Sequence, residues 1–242
     1  ENLFTNWTIS ILPYAEGNTL ADRYNHGSNN NAGPNKYVRE QFVPMYSCPS
    51  DPEPKKLVQP ETGAGSSVFY MRGNYRAMEG RSDGSGWWDT RQYSADGKCA
   101  GSANYYQDAR KSLWKGVFHV VDDLLKQETM ANIIDGTSNT LVVGEYGTKT
   151  HISRGALWAY SYAAYSHGAA VPESRTLLAD YDRCVKIGGA GGDNPCKRGW
   201  GSFHANSLQF LYADGAVRPI NININIQFIN QMIFSSYKSK LE

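Results

Sequence analysis

The chain has 242 residues, with 24 Lys plus Arg against 23 Asp plus Glu and a net charge of +1. That length suits one large domain able to bury a core unaided, and a balanced charge without any Lys/Arg block argues against a nucleic-acid partner. Hydrophobic residues make up 40%, while 16 Tyr, 6 Trp and 24 Gly mix rigid amphipathic rings with turn formers, which predicts an all-β or α+β, surface-exposed protein.

The first predicted element is residues 6–25, where Trp7, Ile11, Leu12, Ala15 and Leu20 fall at near-helical spacing and Pro13 interrupts, giving a short amphipathic helical segment. No run approaches the ~18 apolar residues of a membrane span, and the first ten residues lack the basic start and apolar core of a signal peptide. Residues 25–34 and 49–67 have loop composition. The stretch 37–48 between them reads as a short strand or a helix, and 67–78 reads as a strand. Residues 79–112, rich in Gly, Ser and aromatics, predict a long surface insertion of the kind that carries recognition.

Further on, 115–121 is a strand candidate. Asp135-Gly136 marks a turn before the alternating "TLVVGEY", with Asn139 supplying Asx-turn chemistry. Residues 155–165 read as an aromatic strand, with Trp158, Tyr160 and Tyr162 on one core-facing side. A short terminal helix is predicted around Ile226 to Ile233.

The four cysteines form no C-x-x-C pair and none stands near a His at zinc-finger spacing, so structural zinc is disfavoured. Cys184 and Cys196 flank a Gly-rich loop that a bridge would close. Of the three pairings open to four cysteines, Cys184 with Cys196 and Cys48 with Cys99 is preferred, the alternative being four buried thiols in a reducing compartment.

In "FHANSLQFLYADGAVR" (203–218), Leu208, Phe210 and Tyr212 alternate with Gln209, Leu211 and Ala213, and Asp214-Gly215 is a strong hairpin signal. Residues 208–213 and 216–220 are therefore expected to pair. With a turn at 205–207, a strand over 200–204 runs back along 208–213 and separates His204 from Asp214 by ~20 Å; an unbroken strand separates them by ~33 Å. A His-Asp dyad is excluded, and structural roles remain: Asp214 caps its turn, Gly215 supplies φ > 0, and His204 bonds a loop carbonyl or packs at the sheet edge. His26, His119, His151 and His167 show no ligand spacing, and neither G-x-S-x-G nor H-E-x-x-H occurs, so the chain is read as a non-enzyme.

His204, nine residues, then Asp214-Gly215 form an H-x9-DG pattern, preceded in order by "WTISILPYAEGNTLADRYN", "YSCPSDP" and "IIDGTSNTLVVGE". Together these four stretches, spanning residues 7–215, resemble a bacterial H-x9-DG domain family whose members are similar to type II secretion pseudopilins and type IV pilins. The resemblance implies an α+β, pilin-like head over 1–242, with an antiparallel sheet, short N-terminal and C-terminal helical segments and long loop insertions. It also implies a bacterial cell-envelope location, other pilin-like subunits as partners in a filament or a type II secretion-like apparatus, and an apolar N-terminal helix, absent from this sequence, that anchors the protein in the inner membrane before assembly. By analogy with pseudopilin heads that hold calcium in a C-terminal loop, Asp180, Asp182, Asp193 and Asn194 are weak calcium candidates; no EF-hand pattern occurs, solvated loop acids are the preferred reading, and no cofactor is expected. A second functional class is an envelope-anchored glycan- or solute-binding module, for which Trp87, Trp88, Asp89 and Tyr93 in the insertion offer rings beside a carboxylate.

Overall fold

The structure is a computed structural model that describes residues 5–81, 116–119, 127–171 and 173–224. Its N-terminal part is built from short helices. Helix α1 (Trp7–Ser10) is capped by Asn6, whose side chain accepts from the Ile9 N–H at 3.0 Å, and Pro13 then sits at the start of a 3-10 turn, Leu12–Tyr14, before α2 (Asn18–Arg23). Ile9 and Leu12 from this segment bury against Tyr24, Val38, Tyr46, Met71 and Trp158. The stretch left open between strand and helix starts with α3 (Lys36–Arg39) and ends in a 3-10 turn, Pro44–Tyr46.

Among the described residues eight strands follow: β1 (Leu57–Val58), β2 (Tyr70–Gly73), β3 (Tyr75–Arg81), β4 (Leu141–Glu145), β5 (Ala156–Leu157), β6 (His167–Ala170), β7 (Ser207–Tyr212) and β8 (Val217–Asn221). They form a small sheet ordered β1-β2-β5 and a larger one ordered β6-β3-β4-β7-β8. With helices and sheets in one chain the class is α+β, as expected. The larger sheet is mixed rather than wholly antiparallel, because β6 pairs parallel to β3; so long a connection between two strands can deliver the second in either direction.

Three expected strands are built differently. Residues 67–78 split at Asn74, whose buried amide bonds elsewhere, so that β2 and β3 enter different sheets. In 155–165 only β5 is strand; the chain then turns into α4 (Ala163–Ser166). Trp158 and Tyr160 are buried, but through ring contacts with Tyr46 (5.3 Å) and Tyr70 (4.5 Å) instead of along a strand face. Residues 200–204 make no strand: Gly201 forms one parallel bridge with Tyr146, and its backbone lies so close to Ala179 that a Cβ would meet that Cα at 2.6 Å. The 115–121 candidate is described only over 116–119, where Gly116 and Phe118 N–H groups donate to Glu79 and Met78 carbonyls.

The predicted hairpin is present. β7 and β8 pair from Ser207↔Asn221 to Leu211↔Val217, Leu208, Phe210 and Tyr212 face the core, and Gly215 takes φ +85° in the turn. Among the described residues β8 is an outer strand of the sheet and carries Pro219 opposite Gln209. Cys184 and Cys196 are joined by a disulfide across 12 residues and tie α5 (Tyr181–Ile187) to α6 (Asn194–Arg198). The body of the insertion, 82–112, and the predicted terminal helix lie outside the described residues.

Candidate functional site

Three of the four sequence stretches of the H-x9-DG resemblance, distant along the chain, meet in two places, while the first, residues 7–25, packs against Tyr46 and Trp158. At one end of the larger sheet, the Asp135–Asn139 loop docks on the β7–β8 turn. Gly136 takes φ +91°, Asn139 Nδ2 donates to the Asp135 carbonyl at 3.2 Å, and the N–H groups of Asp214 and Ala213 donate to Thr137 and Thr140 carbonyls. Asp214 accepts from the Ala216 N–H at 2.9 Å and from Arg218 Nη2 at 2.7 Å, while Arg218 Nη1 reaches the Ser138 carbonyl and its guanidinium lies 4.4 Å over the Tyr212 ring. These bonds draw the Asp214 carboxyl below its ordinary range, the Ala216 N–H contributing most. Asp214, Gly215, Asp135, Gly136 and Asn139 are thus turn residues, and the docking of the two turns on one another adds to the local turn roles expected for them.

His204 belongs to the other place. Among the described residues it shares no partner with Asp214 and the two side chains do not meet, but its expected role at a loop carbonyl is corrected. Its Nε2 lies 3.2 Å from Glu145 Oε1 and 3.6 Å from Cys48 Sγ, and its Nδ1 lies 3.3 Å from Ser50 Oγ. Cys48 comes from the Cys-Pro-Ser-Asp stretch, Glu145 from the end of β4, and His204 from the loop before β7. One ligand atom of each lies within 4.8 Å of the other two, and among the described residues no other His, Cys, Asp or Glu side chains make such a triple.

The fold fixes these positions for identifiable reasons. Gly144 lets Phe210 and Trp200 pack close against β4, since a Cβ there would meet Phe210 Cε1 at 2.3 Å and Trp200 Cε3 at 2.7 Å, and Glu145 projects from the residue next to this contact. Glu145 is then held by its other oxygen, which accepts from the Gln209 N–H of β7 at 2.7 Å. Cys48 N–H donates to Asn74 Oδ1 at 3.0 Å, Asn74 Nδ2 donates to buried Asp51 at 2.5 Å, and Arg72 approaches the same carboxylate at 3.6 Å. Cys48 is 3% exposed, whereas the His204 side chain is 35% exposed, so the cluster has a dry side and a wet side. Burial pushes the Cys48 thiol up, with the Glu145 carboxylate adding to it. The phenol of Tyr75, opposite Glu145 in the β3–β4 register, is pushed up to about 12, by burial first and then by Cys48 and Glu145.

Cys48 carries a free thiol, which corrects the expected Cys48–Cys99 bridge; Cys99 itself lies outside the described residues. The thiol is instead committed to the Glu145 and His204 neighbourhood. Cys184–Cys196 is formed as expected. Of the calcium candidates, Asp180 caps α5 through the Arg183 N–H and accepts from Thr150 Oγ1, and Asp193 pairs with Lys197 at 2.7 Å and accepts from Tyr181 Oη; Asn194 lies against Lys197. Helix capping and ion pairing thus engage one carboxylate oxygen each of Asp180 and Asp193, and neither residue, nor Asp182, belongs to the triple above. Trp87, Trp88, Asp89 and Tyr93 lie outside the described residues.

Sequence reasoning missed the Cys48–Glu145–His204 cluster because its members are 97 and 59 residues apart in the chain, spacing that no local ligand pattern covers. A signal was nevertheless present: each member sits in one of the ordered stretches that carry the resemblance. Comparison with curated proteins and with solved structures gives no match. A family model, however, matches residues 1–227. With the cluster and both docked turns inside that match, the chain belongs to the family described as "Protein of unknown function (DUF1559)".

Proposed function

We propose that this chain is the head of a pseudopilin-like cell-envelope protein that acts by assembly and surface display in a filament or type II secretion-like apparatus. Membership of the family and the four ordered stretches support the pseudopilin-like reading at the coarse level. The observation that carries the finer reading is the way the N-terminal segment is locked to the head. Asn6 Nδ2 donates to the Trp158 and Tyr160 carbonyls, Trp7 Nε1 donates to the Ser166 carbonyl, and Tyr46 Oη donates to the Thr8 carbonyl, while Ile9 and Leu12 are buried. A helix entering ahead of Asn6 would therefore be held at a fixed angle to the head, which is what a stalk needs in order to pass packing forces to the displayed domain. The disulfide-closed α5–α6 lobe suits an oxidising envelope compartment.

The test uses the full gene in its own host. Deleting it should remove surface fibres or a secreted protein, and the wild-type gene should restore them. Cells that keep both fibres and secretion after deletion would count decisively against the reading. The same reading expects codons for a basic leader and a long apolar helix ahead of Glu1.

A further inference from the structure

We propose that Cys48, Glu145 and His204 bind a borderline-soft divalent transition-metal ion, with Zn2+ as the best chemical match. The inference does not rest on the assembly reading. Three Lewis bases of different softness, a sulfur, an imidazole nitrogen and a carboxylate oxygen, converge from three remote segments on one point. That mixed S/N/O set suits zinc and disfavours calcium or magnesium, which take all-oxygen shells.

The distances discriminate further. With Zn–S of about 2.3 Å and Zn–N and Zn–O near 2.0–2.1 Å, tetrahedral angles require S···N of about 3.5–3.6 Å and N···O of about 3.3–3.4 Å. The observed values are 3.6 Å for Cys48 Sγ to His204 Nε2 and 3.2 Å for His204 Nε2 to Glu145 Oε1. A cysteine nucleophile with a His–Glu relay would instead use both ring nitrogens, one toward the thiol and one toward the carboxylate. Here Cys48 and Glu145 both face Nε2, and Nδ1 faces Ser50 Oγ. With Nδ1–H donating to Ser50, the Nε2 lone pair points at the same spot as the sulfur and the carboxylate, and three electron-rich atoms at one point call for a cation between them.

Each proposed ligand also has an outer partner of the kind that orients metal ligands: Gln209 N–H on Glu145 Oε2, Ser50 Oγ on His204 Nδ1, and the Asn74 amide on the Cys48 backbone. The exposed side of His204 leaves a fourth position open to water or to a donor brought by another molecule. Three protein ligands and one open position differ from the closed four-ligand shell of a structural zinc site.

The test is titration of chelator-stripped protein, its Cys184–Cys196 bridge intact, with Zn2+ by calorimetry and with Co2+ by absorbance. One ion per chain is expected, together with a thiolate-to-cobalt charge-transfer band. Cys48→Ser and His204→Asn should each weaken binding by at least about 100-fold and Ser50→Ala by about tenfold, with the cobalt band lost in Cys48→Ser. Cys99→Ser and Asp214→Asn should bind as wild type. In folded wild-type protein, Zn2+ should also slow alkylation of Cys48, a readout that does not depend on any variant folding. No stoichiometric uptake, uptake that survives both Cys48→Ser and His204→Asn, or alkylation of Cys48 indifferent to Zn2+ would overturn the proposal; in that case a proton on Nε2 shared with Glu145 holds the cluster together.

Discussion

At the scale of single residues, close approach decides more than side-chain type. Gly144 admits Phe210 and Trp200, and Gly168 lies against the same indole from the neighbouring part of the sheet. Gly144→Ala should therefore cost about 1–3 kcal/mol through overpacking, measured by chemical denaturation, and should also disturb Glu145, the next residue. His167 offers a second test. Burial depresses its pKa to about 4, Arg76 and His119 act in the same direction, and Ser166 Oγ lies 2.9 Å from its Nδ1. Because the unfolded chain takes up this proton near pH 6.5 and the folded chain only near 4, the contribution is fully present above pH 6.5 and is lost as the pH falls toward 4. Stability curves at several pH values should show a steeper loss across that window for wild type than for His167→Gln. Residues of this kind were only half legible in the sequence. Gly215 announced its turn through the Asp-Gly pair, whereas nothing local to Gly144, Cys48 or Glu145 indicated what would lie against them.

At the scale of elements, signals contained within a few residues translated directly. The β7–β8 hairpin, the Pro13 break and the Cys184–Cys196 closure each depend on neighbours in sequence, and each is present. Elements that depend on remote partners did not translate: Asn74 splits a predicted strand because its amide is needed by Cys48 and Asp51, and the 155–165 rings bury against Tyr46 and Tyr70 from other segments. Two expectations follow. Replacing both Cys184 and Cys196 by Ser should lower stability by about 2–4 kcal/mol, the range for closing a loop of this size, read from the denaturation midpoint. Arg218→Ala, which unties Asp214 from Ser138, should speed amide exchange at Ala213 and Asp214 several-fold while leaving the global midpoint nearly unchanged.

At the scale of the molecule, distinct apolar clusters are cross-linked by polar side chains. Arg76 is fully buried, with Nη1 on the Lys197 carbonyl at 2.6 Å, Nη2 on the Arg154 carbonyl at 3.2 Å and its guanidinium 3.4 Å over the Tyr146 ring, which joins the larger sheet to the α6 lobe. The Cys48–Glu145–His204 cluster performs a similar joining between the Cys48 loop, β4 and the segment leading into β7. An ion held there would tie three remote stretches together, so zinc at about 100 times its dissociation constant should add about 2.7 kcal/mol to the stability of wild type and leave Cys48→Ser unmoved in a thermal melt. Pro219 bears on how copies can meet. Among the described residues it sits in the outer strand of the sheet without an N–H to offer, so another molecule laying a strand alongside would find a missing donor midway. Neighbouring molecules are thereby steered away from zipping rim to rim into an endless ribbon, and side-chain surfaces are left to set the contacts between them.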